Sequence, residues 1–143
     1  MKEKVLEALS NLGFTTEQID DNAYNFKYEG LSLFYLYNPN DEEFLSIALP
    51  GVYDFDENEA GKYCALTESI NSSMKYIKAY TVNNDMWIFY ERETLEGENL
   101  EEIIRRMIFH LQAGLLALRK AIDSHDSDGE KGSDGDAAND SED

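Results

Sequence analysis

The sequence predicts an α+β domain: a five-stranded antiparallel sheet covered on one side by helices, in the order α-β-β-β-α-β-β-α. Three observations predict it. Apolar residues recur at helical spacing near both ends of the chain, segments between them alternate with a period of two, and clusters of Gly, Pro, Asn and Asp separate those segments. Three strands, a short helix and two more strands make one sheet, with the terminal helices on a single face.

The first helix spans residues 2–12. Val5, Leu6, Leu9 and Leu12 share one side, Lys2, Glu3, Lys4 and Glu7 take the rest, and Gly13 follows as a C-terminal cap. The period then changes. Tyr24, Phe26 and Tyr28 alternate with Asn25, Lys27 and Glu29 in a half-buried strand, and Glu29-Gly30 makes a tight turn. Residues 31–37 are apolar at almost every position, with Leu31, Leu33, Tyr35 and Tyr37 on one face and Phe34 and Leu36 on the other. A turn cluster at 38–41 leads to a third strand at 44–49, expected to stop at Pro50-Gly51.

The second helix is predicted over 57–71. Asp56 and Glu59 stand at capping-box spacing, and Ala60, Tyr63, Cys64, Thr67 and Ile70 form the apolar face. Gly61 weakens this helix by about 1 kcal/mol relative to alanine. Strands at 75–82 and 86–91 flank the hairpin signal Asn83-Asn84-Asp85, with Tyr76, Tyr80 and Val82 on one face of the first. The last helix, 100–122, carries the strongest pattern. Leu100, Ile103, Ile104, Met107, Ile108, Leu111, Leu115, Leu118 and Ile122 form its stripe, Asn99 and Glu102 stand at capping-box spacing, and Arg119 and Lys120 suit its C-terminal dipole. Residues 124–143 hold no large apolar side chain. Composition therefore divides the 143-residue chain into a domain at 1–123 and an acidic tail at 124–143, the latter expected to be disordered.

Charge narrows the function classes. Formal net charge is −18. The tail holds eight acids against one lysine, which leaves 11 basic against 22 acidic residues in 1–123, so the domain is acidic in its own right. Such a surface repels nucleic-acid phosphates and anionic membranes. Charges interrupt residues 1–12, unlike the apolar core of a signal peptide, and a single cysteine cannot form an internal disulfide; the expected location is the cytoplasm.

Candidate chemistry is sparse. Around His110, Arg106, Met107, Ala113 and Gly114 offer no second metal ligand, and His125 opens the polar tail. Cys64 reads as a small hydrophobe on its helix rather than as a nucleophile. No nucleophile-elbow, phosphate-loop or dinucleotide motif occurs. The tail acids fail as a calcium loop: a start at Glu130 sets Gly135 sixth, but Gly132 third and Ser141 twelfth. The expectation is a protein without catalytic residues, metal or cofactor.

The aromatic share, 12%, asks for more than a core. A sheet with helices on one side leaves a second side, and apolar groups there need a partner chain. Phe34, Leu36, Tyr63, Ile70, Tyr76 and Tyr80 are the residues expected to form it, shielded by a second copy of the chain or by a foreign peptide.

The segments Leu66-Thr67-Glu68-Ser69-Ile70-Asn71 and Lys75-Tyr76-Ile77-Lys78-Ala79-Tyr80, with residues 85–90 and the long helix after them, resemble YbjN-type proteins, a bacterial family described as sensory transduction regulators within the type III secretion chaperone-like superfamily. The likeness covers residues 1–122 in outline; the acidic tail is no part of it. It implies that fold and, by analogy with the secretion chaperones, an acidic homodimer that holds polypeptide segments without ATP. Asn71 also fits a helix end with a left-handed backbone angle.

The leading expectation is therefore a non-enzymatic, chaperone-like or regulatory protein-binding module, acting as a homodimer, with no affinity for nucleic acid or membrane. The alternatives are a small-molecule binder or enzyme whose site, lined by tyrosines, His110 and carboxylates, assembles between the sheet and the last helix, and an acidic mimic of nucleic acid.

Overall fold

A computed structural model of the chain describes the backbone of residues 1–135 and the side chains of residues 1–127. Its elements are α1 (Lys2–Asn11), β1 (Glu17–Asp20), β2 (Ala23–Tyr28), β3 (Leu31–Leu36), β4 (Phe44–Asp54), a 3-10 turn (Glu57–Glu59), α2 (Ala60–Ser73), β5 (Ile77–Val82), β6 (Asp85–Glu93) and α3 (Leu100–Gly135). The α+β class and the antiparallel sheet stand as expected. The strand count does not: six strands pair in the order β1-β2-β3-β4-β6-β5, and four of them precede α2.

The additional strand is β1, a short edge strand exposed at every position. It has no half-buried face, so no alternation betrays it. A turn joins it to β2, with the Asn22 N–H donating to Asp20 Oδ1 at 2.8 Å.

Pro50 does not end the third predicted strand. β4 runs on to Asp54 with a bulge between Leu49 and Tyr53, where Gly51 takes a φ of 55°. Proline cannot donate to the ladder, so it falls in the irregular stretch; beyond it Tyr53 and Asp54 pair again with Met86 and Asp85 of β6. The two hairpin turns are as predicted. Glu29-Gly30 and Asn83-Asn84 each place both central residues at positive φ, the form that matches strand twist.

The helices close with identifiable caps. At the end of α1, the Gly13 N–H donates to the Ser10 carbonyl and that of Phe14 to the Leu9 carbonyl, a Schellman arrangement with Gly13 at φ 96°. Asn99 caps α3 by accepting from the Glu102 N–H at 3.1 Å. Glu102 completes no box, because its carboxylate holds Arg105 and Arg106 instead. At the 3-10 turn Asp56 accepts from the Asn58 N–H at 2.9 Å, again without a reciprocal bond from Glu59.

One face of the sheet carries the core. Tyr24, Phe26, Leu33, Tyr35, Leu45, Ile47, Ile77, Ala79, Met86, Ile88 and Tyr90 point to the helices, and α3 meets them with Ile104, Met107, Leu111 and Leu118. Gly114 brings α3 close to the sheet, since a Cβ there would lie 3.4 Å from Ile77 and 3.5 Å from Ile88. On α2 the expected face is met at Tyr63 and Ile70 but not at Cys64. Tyr63, Leu66 and Ile70 are its buried residues, whereas Cys64 is exposed and no core hydrophobe.

Asn71 lies inside α2, which ends at Ser73, so it is not a left-handed cap. Its side-chain amide bonds the edge strand on both sides: Nδ2 donates to the Ala79 carbonyl at 2.9 Å, and the Ala79 N–H donates to Oδ1 at 2.7 Å. The amide thus reproduces one rung of a neighbouring strand. This gives half of the resemblance motif a structural role, fastening α2 to β5.

α3 continues past Ile122 through Gly135, so the expected boundary at 123 does not mark the end of the helix. No proline interrupts 123–135, and Asp126 is tied to α2 by a 2.8 Å salt bridge to Lys62. Residues 136–143 of the expected tail lie outside the described residues.

Two substitutions test this account by urea denaturation. Asn71→Ala strips both bonds from Ala79 and is expected to cost about 1–3 kcal/mol. Gly61→Ala is expected to stabilise by about 0.5–1 kcal/mol, because Gly61 is helical and nothing lies within 4 Å of the added Cβ.

Candidate functional site

Strand geometry sends successive side chains to opposite faces, so the register fixes what the uncovered face presents. Phe34 of β3 pairs with Ala48 of β4, Ala48 pairs with Phe89 of β6, and Tyr80 of β5 pairs with Trp87 of β6. These residues alternate with core-facing neighbours and therefore point away from all three helices. They pack on one another. Phe34 meets Trp87 edge-on with ring centroids 5.6 Å apart, Trp87 stacks on Phe89 at 5.9 Å, and Phe89 stacks on Tyr80 at 4.3 Å and 5° between planes. An aromatic row thus crosses from β3 to the edge strand. Mutual packing leaves Phe89 only 3% exposed, while Tyr80 stays 40% exposed.

Polar groups frame the row. Lys78 and Glu91 form a salt bridge at 2.8 Å, and the Ser46 hydroxyl donates to Glu91 at 3.3 Å. The hydrogen bond to Glu91 raises the pKa of Lys78, and burial against Phe89 raises that of Tyr80, with Glu91 adding to it. Asn25 closes the β2 side, donating to Ser32 Oγ at 2.6 Å. At the far end Asp54 and Asp85 face each other across β4 and β6. Desolvation first, then a hydrogen bond and repulsion from Asp54, raise the pKa of Asp85.

Of the six residues expected at an interface, Phe34, Leu36 and Tyr80 lie on this open face. Tyr63 and Ile70 do not; they are core residues beneath α2, and the Tyr63 hydroxyl is bonded to Thr81 Oγ1 at 2.6 Å. Tyr76 is exposed but on the helix side. Its φ of 70° breaks the strand alternation, and its ring stacks on Tyr90 at 5.6 Å and packs on His110 at 5.1 Å. Sequence reasoning passed over Trp87 and Phe89. A signal was present: residues 86–91 are large at both parities, as 31–37 are, and the Asn83-Asn84 turn brings Trp87 opposite Tyr80.

No group of three or more His, Cys, Asp or Glu that could hold a metal occurs among the described residues. Nor is any helix among them long and apolar enough to cross a membrane. The interior between α3 and the sheet is filled by Ile88, Ile104 and Leu111. An apolar crevice of about 270 Å³ between α1, β2 and α3 is lined by Leu12, Phe14, Tyr28 and Phe109 among others, and takes in neither His110 nor a carboxylate.

No family model matches the chain, and no curated protein does either. Among solved structures, YbjN from E. coli, described as a putative transcription regulator, superposes with a TM-score of 0.61 over 87% of this chain and 93% of its own, at 11% identity. The chain has the YbjN fold. The likeness foreseen from residues 66–80 and the long helix is thereby shown at the level of architecture.

The facing carboxylates give this face of the YbjN fold a pH signature. Because the folded chain holds the Asp85 proton more tightly than the unfolded chain, stability from this pair is greatest in acid and is lost as pH rises through the raised pKa. Asp54→Asn removes the repulsion. Urea midpoints should rise above the parent's at about pH 7, and the gain should shrink toward acid as Asp85 takes up its proton.

Proposed function

We propose that the chain is a non-enzymatic protein-binding module of regulatory or chaperone-like type, whose binding surface is the open sheet face and whose first occupant is a second copy of itself. One observation carries the reading: the row Phe34, Trp87, Phe89 and Tyr80 crosses the side of the sheet that none of the described helices covers. Aromatic residues of this kind dominate the energetics of protein interfaces.

Dimensions support it. Six strands at about 4.8 Å spacing and roughly 20 Å length offer on the order of 500 Å² in projection, and accessible area exceeds projected area. A standard interface buries about 800 Å² per partner. The edges argue for face contact over strand addition, since Asn71 occupies Ala79 on β5 and β1 is short and irregular. The description of E. coli YbjN as a regulator agrees with a regulatory role here. A net charge of −18 argues against nucleic acid as the partner.

Trp87 is the single tryptophan, so its emission reports directly on this face. Sedimentation should give a dimer at tens of micromolar, with a blue-shifted Trp87 emission that moves to the red on dilution. Phe34→Glu, which leaves the reporter in place, is expected to weaken the dimer at least about tenfold, near 1.4 kcal/mol. A monomer at about 100 μM (weaker than roughly −5.5 kcal/mol) whose emission ignores dilution would refute self-association through this face.

A further inference from the structure

The solvent side of α3 is unlike the rest of this acidic chain. At 100° per residue, Arg105, Phe109, Gln112, Leu116 and Arg119 fall on one side, bordered by Arg106 and Lys120. Phe109 is 65% exposed and Leu116 57%. They lie two turns apart, about 10 Å. Between residues 103 and 122 the helix carries four cations and no carboxylate, in a chain whose net charge is −18. Arg105 and Arg106 share one carboxylate, Glu102, at 2.9 and 3.1 Å, which leaves a positive surplus at that end.

A concavity adjoins the exposed residues. The crevice of about 270 Å³ has Leu12, Phe14, Tyr28 and Ile108 in its walls, with Phe109 at one border and Arg105 and Gln112 as hydrogen-bond donors at the rim. It has room for one large apolar side chain. On the opposite flank Phe109 meets His110, centroids 5.6 Å apart, and His110 meets Tyr76, itself 64% exposed. Single exposed hydrophobes are ordinary, but here they form one tract with a socket in it.

We propose that this face of α3 docks an acidic amphipathic segment of a partner polypeptide, its apolar residues seated on Phe109, Leu116 and the crevice and its carboxylates on Arg105, Arg106, Arg119 and Lys120. Charge complementarity selects the occupant. Screening over about 8 Å confines the repulsion from the rest of the chain, whereas the basic tract from Arg105 to Lys120 runs along about 22 Å of helix. A lipid surface fits less well, because a plane cannot fill the crevice and would draw the acidic remainder toward anionic headgroups. A second copy would bring like-charged tracts together. The site is separate from the open sheet face, on the other side of the domain.

The probe is a synthetic helical peptide of on the order of 15 residues, with leucines at heptad positions and glutamates elsewhere, titrated by calorimetry into the full chain. A twin with lysine for glutamate is the control. The glutamate peptide should bind, lose affinity with added salt, and leave Trp87 emission unchanged; the lysine twin should not bind. Phe109→Ser with Leu116→Ser, and separately Arg105→Glu with Arg119→Glu, should each weaken binding at least about tenfold. All four positions are exposed, and retained circular dichroism confirms the fold.

Absence of binding at millimolar peptide overturns the proposal, as do equal binding of the lysine twin and indifference to both double variants. So does a shift in Trp87 emission, which would assign the peptide to the open face. Loss of a dimer on sedimentation in the Phe109/Leu116 variant would make the tract a self-interface, and variant-sensitive binding to phosphatidylglycerol vesicles without peptide binding would make it a lipid site. Either result overturns the reading for α3; the first also moves the dimer contact off the open face, whereas the second leaves that face untouched.

Discussion

The contact of α3 with the sheet is the interaction on which the rest of the structure depends. Ile104, Met107, Leu111 and Leu118 press on Ile47, Ile77, Met86, Ile88 and Tyr90, and all of these lie within a single core. Strand geometry then leaves no choice about the remaining side chains. Once one parity of β4, β5 and β6 is committed to the helices, the other must face away from them. The open face and its aromatic row follow directly from where the helix sits. The same contact orients α3 itself, because burying one stripe turns Phe109, Leu116 and the basic residues outward.

The two surfaces obey different physics. On the sheet, aromatic rings pack on one another laterally and are bordered by polar pairs such as Lys78 with Glu91, so the face is an aromatic centre within a polar margin. On the helix, isolated apolar side chains stand among cations in excess of the carboxylate they share. The first arrangement rewards shape complementarity, the second charge complementarity. A protein with both can hold one partner through each without competition for surface.

Much of the fold was legible because its long-range order is written in periodicity. The stripe of α3, the alternation of β2 and the doubly apolar β3 each name their element, and the turns at Glu29-Gly30 and Asn83-Asn84 fix the hairpins. What escaped had no periodic mark. β1 is exposed throughout, the bulge at Pro50-Gly51 reads locally as an ending, and the backbone reversal at Tyr76 is invisible in a side-chain pattern. The phase of α2 was ambiguous because Cys64 and Leu66 both read as apolar. Of the candidate site, Phe34, Leu36 and Tyr80 were legible from alternation within strands. Trp87 and Phe89 depended on cross-strand register, and Tyr63 and Ile70 on which side of α2 faces inward, and neither is a property of one segment.

Asn71 has a consequence at the scale of assemblies. A sheet that can extend at its margins adds copies head to tail, without a symmetry that stops the count; a flat side pairs once and is used up. By supplying a counterfeit strand from a helix, one amide opposes the growing, filament-like outcome at β5, where the Ala79 N–H and carbonyl are already occupied.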